Sequence, residues 1–117
     1  MGGRGGSGRS SAAVVQMPAF DANGIADLDI RDAYEDALAA NPNSVAGVEW
    51  VSLTRLRTAL AVRGWDRDRQ DREILRFVRE RKGILNPESN QKVLSPRDRA
   101  DAITMGGEQK HIFMVKR

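Results

Sequence analysis

The chain has no cysteine and a single histidine. Without cysteine, a disulfide framework and a thiolate zinc site are excluded, and a reducing, cytoplasmic setting fits. The one imidazole, His111, opens the apolar run HIFMV, where a packed or edge histidine is the ordinary role rather than a catalytic base. Aromatic residues make up only 5% of the 117. Trp50, Trp65, Phe77 and Phe113 each fall at an apolar periodic position or a turn, so they are expected in a core and not as base-stacking platforms. No apolar run approaches the ~20 residues that a membrane span needs. Ala12-Ala13-Val14-Val15 is too short for the apolar region of a secretory signal. Gly2 to Gly8 lacks the Gly-Lys-Ser/Thr ending of a phosphate loop and follows no strand. Asp27-x-Asp29 has a metal-ligand spacing, but no glycine and distal glutamate follow at calcium-loop positions, and helix capping accounts for it better. Catalytic residues, metals and cofactors are therefore not expected.

What the chain does have is charge, unevenly placed. Charged residues are 30% of the total and the net charge is only +3. Residues 21–49, however, carry seven acids against one arginine, while residues 50–117 carry sixteen bases against nine acids. A basic surface on the C-terminal two thirds and an acidic helix elsewhere point to a polyanion partner.

Glycine is concentrated at the start, in MGGRGGSGRS. Residues 1–23 read as a disordered arm, because so little apolar surface cannot offset the entropy of ordering it. Arg4 and Arg9 within it resemble the minor-groove arms of some DNA-binding proteins. Residues 24–117 read as one small domain. Its first helix is expected at 27–40, with an apolar stripe of Leu28, Ala33, Tyr34, Ala37 and Leu38 joined by Ile30. Asp27, Asp29 and Asp32 would sit at the favourable end of its dipole, and Asn41-Pro42-Asn43 would stop it. Trp50-Val51 reads as a minimal strand. Ser52 caps a second helix with Leu53, Leu56, Ala59 and Leu60 facing inward, and Gly64 ends it. Trp65 plugs the turn, and Asp66 caps a third helix that runs to about Lys82, where Gly83 stops it. Two short apolar segments flank Pro87-Glu88-Ser89-Asn90 and predict a hairpin over 84–94. Ser95-Pro96 opens a further helix to Gly106-Gly107, and the chain closes on a strand at 111–115.

At about 100° per residue, the third helix separates Ile74, Leu75, Phe77 and Val78 from an arginine stripe. Arg69, Arg72, Arg76 and Arg79 fall within an arc of roughly 80° opposite the apolar side. Such a helix can pack on a core and offer guanidiniums to phosphates or to guanine edges. Arg69–Glu73 and Arg76–Glu80 are also i,i+4 pairs, so a merely solvated, ion-paired face competes with this reading. Arg55 and Arg57 are candidates for backbone phosphates, Arg67 is a further DNA-binding candidate, and Asn90 and Lys92 are candidates for contacts from the hairpin.

The segment WVSLTRLRTALAVRGWDRDRQDREILRFVRERKGILNPESNQKVLS resembles the winged helix-turn-helix superfamily of bacterial DNA-binding proteins. The resemblance covers about two thirds of the chain and rests on element order, with no diagnostic string. It implies an α+β fold: a three-helix core, a recognition helix at 66–82, a wing at 84–94, and an added C-terminal helix and strand. It implies duplex DNA as partner and no enzymatic activity. A homodimer through the C-terminal helix and strand or the first helix remains open, and so does use of the same fold for protein assembly.

Overall fold

The computed structural model describes residues 22–40 and 49–116. The arm at 1–21, with Arg4 and Arg9, and the expected helix stop at 41–43 lie outside those residues. The fold is α+β. Its elements are helix α1 (Ala22–Ala39), strand β1 (Val51–Ser52), helix α2 (Leu53–Val62) and helix α3 (Arg67–Arg79). Strand β2 (Gly83–Asn86) follows, then a 3-10 turn (Gln91–Val93) and helix α4 (Pro96–Ala100). Strands β3 (Ile103–Met105), β4 (Glu108–Lys110) and β5 (Ile112–Val115) complete the chain.

Local signals set the helix ends. The Ser52 hydroxyl accepts from Arg55 N–H at the start of α2, and the Asp66 carboxylate accepts from Arg69 N–H at the start of α3. Between the two helices Gly64 takes a φ of +86°, which a side chain would disfavour, and the buried Trp65 plugs the turn. Two packed helices bracketing a tight turn are therefore present as the sequence predicts. Ser95 and Asp98 form a reciprocal capping box with Pro96 at the first position of α4.

Helix α1 begins at Ala22, five residues earlier than expected, so residues 22 and 23 belong to it and not to the arm. Its buried stripe is Ala26, Ile30, Ala33, Tyr34 and Ala37, in steps of three and four. Leu28 was expected on that stripe and is instead 61% exposed. Asp27 and Asp29 lie inside the helix, so the capping role expected for them is corrected as well.

The strands correct the sequence reading most. Residues 84–94 form no hairpin. β2 pairs antiparallel with β5, Leu85 opposite Phe113, and residues 91–93 are a 3-10 turn. β5 also pairs with β1, so the sheet order is β1-β5-β2 with the C-terminal strand in the centre. Both backbone edges of that strand are occupied within the chain, which leaves it no free edge for a second copy. The helix expected to reach Gly106-Gly107 ends at Ala100; those glycines, with φ of +63° and +77°, form the turn of a small β3–β4 hairpin. Positive φ at both central residues suits the right-handed twist of a hairpin.

Phe113 is the centre of the core. It pairs with Val51 and Leu85, and its ring meets Tyr34 edge-on and Phe77 obliquely, each with centroids 6.0 Å apart. Leu53, Leu56, Leu60 and Ile74 are fully buried around it. Leu75 and Val78, expected at full burial, are only partly covered. Gly83 was expected to stop α3 but lies within β2, one step beyond the helix end at Arg79 and its turn. Its role is steric, because a Cβ there would come 2.9 Å from the Phe77 ring and 3.0 Å from Phe113.

Two outcomes follow for stability. Gly83→Ala should destabilise by about 1–3 kcal/mol through overpacking against two fully buried rings. Ile74→Ala should cost about 2–5 kcal/mol and Leu75→Ala clearly less, because only the first lies fully inside. Urea titrations of the three variants check both.

Candidate nucleic-acid interface

The structure divides the candidate arginines into two groups. Arg57 belongs inside. Its side chain is only 5% exposed and every arm of the guanidinium is engaged. Nε donates to the Asp101 carbonyl at 2.9 Å, one terminal nitrogen to Gln70 Oε1 at 3.0 Å, and the other to Asp71 Oδ1 at 2.7 Å. The expectation that Arg57 clamps phosphate is therefore corrected: it ties α2 to α3 and to the end of α4. Gln70 completes the arrangement by donating to the Trp65 carbonyl at 3.0 Å. Arg67 is about half exposed and reaches Asp101 at 3.2 Å and the Ala100 carbonyl at 2.6 Å, so much of its hydrogen-bonding capacity is spent on α4.

Because Gln70 is buried beside Ile74 and Phe77, α3 is turned away from the orientation its apolar residues alone predict. Arg76 is carried toward α1, where its side chain is 16% exposed. It donates to Asp27 at 2.7 Å, Glu73 at 2.8 Å and Glu80 at 3.0 Å. Lys82 closes the cluster with 2.5 Å to Asp27 and 2.9 Å to Glu80. The outward projection expected of Arg76 is thus also corrected. Arg69 leans over the Trp65 ring with its guanidinium carbon 4.4 Å from the centroid.

What remains on the outer face of α3 is Asp68, Arg72, Leu75 and Arg79. Arg72 is 63% exposed, and its one ion pair among the described residues is with Glu73, at 3.5 Å. Arg79 is exposed and has no ion-pair partner among the described residues. Lys92 is exposed on the 3-10 turn, with Asn90 capping it through an acceptor for Lys92 N–H at 3.2 Å. Arg97 and Arg99 on α4 are exposed neighbours missing from the sequence-based candidates; Arg99 holds the Gln91 carbonyl at 2.9 Å. The sequence places both on a helix opened by Ser95-Pro96, and it is the contact of that helix with α2 and α3 that sets them beside those helices. Arg55 is exposed and donates to the Ala40 carbonyl at 3.0 Å.

His111 is a packed histidine. Its Nδ1 accepts from Glu88 N–H at 3.1 Å, its backbone N–H donates to the Asn86 carbonyl, and its carbonyl accepts from Leu53 N–H. The described residues hold no group of three or more His, Asp or Glu side chains that could bind a metal ion, and no helix among them is long and apolar enough to cross a membrane. No protein-family model, curated protein or solved structure matches the chain.

The cluster between α1 and α3 has a pH signature. Burial pushes Asp27 up, but hydrogen bonds from Lys82 and Arg76 and their charges outweigh it, holding the carboxyl below its ordinary 3.8. Hydrogen bonds from Lys82, then from Arg76, lower Glu80 in the same direction. The unfolded chain, with the higher pKa, takes up these protons first on acidification. The stabilisation is therefore complete above the ordinary carboxylate range and is lost as pH falls through the folded values. Urea midpoints should be steady at about pH 5–7 and fall below about pH 4, and Asp27→Asn should flatten that fall. Arg57→Ala should cost about 3–5 kcal/mol at neutral pH, because buried partners lose their donor.

Proposed function

We propose that this chain is a small winged-helix protein that binds duplex DNA without catalysis, as a transcriptional regulator or as an accessory factor of a plasmid, phage or replication system. The observation that carries the reading is the outer face of α3, where the exposed Arg72 and Arg79 flank Leu75, itself partly buried against the core. A three-helix core followed by the antiparallel pair β2–β5 supports the winged-helix assignment. On this reading residues 87–111, with α4 and the β3–β4 hairpin, stand where a simple wing would be. The basic residues Lys92, Arg97 and Arg99 on that excursion suit contact with phosphates beside the groove that α3 enters. The absence of cysteine fits a cytoplasmic site of action.

The alternative is a protein-interaction module. It draws on a groove of about 370 Å³ between α1 and α2, lined by Ala37, Ala40, Ala59 and an 82% exposed Val62.

Binding to random-sequence duplex across a salt series separates the two. On the DNA reading, affinity falls steeply with salt; no binding at low salt leaves the interaction module. Replacing Arg72 with Ala should cost about 1–3 kcal/mol of binding and relax preference at one position if it reads a base. Folding stability should move by less than about 0.5 kcal/mol, since the side chain is on the surface. If Arg72→Ala/Arg79→Ala stays folded and binds like the parent, α3 is not the reading helix.

A further inference from the structure

At the C-terminal end of α3 the fold adds a distant cation to a concentration of positive charge already present in the local sequence. Helix α3 closes with Arg81 N–H donating to the Val78 carbonyl at 2.9 Å and Lys82 N–H to Phe77 at 3.1 Å. This closure puts Arg81 at a φ of +65°, the only positive value at a non-glycine among the described residues. Glycine is the unstrained residue at such a position. The chain places an exposed arginine there instead. The tertiary fold then brings in a further cation from the other end of the domain: Lys116 N–H donates to the Lys82 carbonyl at 3.0 Å, one step beyond the pairing of Gly83 with Val115. Lys116 is exposed, and so is Arg79 in the last turn of the helix.

The nearby acids are already committed. Glu80 is held by Arg76 and Lys82, Asp27 by the same two, and Glu73 by Arg76 and Arg72. Arg79, Arg81 and Lys116 have no ion-pair partner among the described residues. The opposite end of α3 is different, with exposed carboxylates at Asp66 and Asp68 and α4 packed beside it. Carboxylates thus stand among the cations of that end, whereas the exposed cations of this one have no ion-pair partner among the described residues and attract phosphate.

We propose that Arg79, Arg81 and Lys116 form a phosphate-binding site for the backbone of duplex DNA, so that α3 docks through its C-terminal half. The inference rests on the DNA-binding reading above. It reverses the usual expectation that the N-terminal residues of a recognition helix lie deepest in the groove.

The test is fluorescence anisotropy of the full chain with a random-sequence 20-base-pair duplex (about two helical turns) across a potassium chloride series, beside thermal unfolding of each variant. Arg81→Gly removes the cation and relieves the backbone. It should keep or raise the melting temperature while lowering the slope of log K against log salt by about one. Arg81→Gly/Lys116→Ala should lower it by about two, equally for unrelated duplexes. A slope and affinity unchanged in the double variant, with binding still weakened in Arg72→Ala, overturn the site and leave the DNA reading intact. Weakening that tracks lost stability, or falls on one sequence only, also overturns it. A parent chain that binds no duplex at low salt removes the DNA reading itself and the site with it.

Discussion

Arg57 is a charge placed where charge is costly, and the rest of the domain is arranged around it. A buried guanidinium is tolerated only when its donors are met, and here they are met by three acceptors on two segments: Gln70 and Asp71 on α3 and the Asp101 carbonyl beyond α4. Satisfying Arg57 draws Gln70 into the interior, and with it the whole face of α3 on which Gln70 lies. It also fastens the 87–111 excursion to the helix pair, together with the Thr54–Asp98 hydrogen bond at 2.9 Å. One buried cation thus sets the rotation of α3 and the position of the segment beside it.

That rotation decides the surface chemistry. Turned this way, α3 gives Arg76 to the acidic side of α1 and Arg67 to Asp101, and it leaves Arg72 and Arg79 to solvent. The arginines on one helix therefore do two kinds of work. The inner set holds α3 between two ionic contacts, one with α1 and one with α4, while Phe77 locks against Phe113 below. The outer set meets solvent from a helix whose orientation is fixed. Any partner that meets the outer set gains from such rigidity, because side chains positioned before binding lose less freedom on binding.

Much of the helical part of the fold was legible in the residues themselves. Ser52, Asp66 and Ser95 each accept the backbone hydrogen bond that their position before a helix implies, and Gly64 takes the left-handed turn. These signals act within three or four residues. The strands were less legible. Ile84-Leu85 looks like a hairpin partner of Val93-Leu94 because the two lie close in sequence with turn residues between them. Its true partner is residues 112–115, more than twenty-five residues away, because Phe113 needs burial on the face shared by Tyr34 and Phe77. Gly106-Gly107 serves equally well as a helix stop or a hairpin turn, and only the pairing of Ile103 with Lys110 selects the second.

The candidate site shows the same division. Sequence by itself determined that α3 is amphipathic, capped at Asp66 and rich in arginine, because periodicity and capping are properties of neighbouring residues. Only the tertiary structure decided which arginines are surface groups. Arg57 meets Asp101 across 44 residues, Arg76 meets Asp27 across 49, and Lys116 reaches Lys82 across the sheet. A guanidinium carries the same charge in either place. Whether it binds within the chain or outward depends on which acids and carbonyls the fold brings within about 3 Å of it, and that is a property of packing between distant segments.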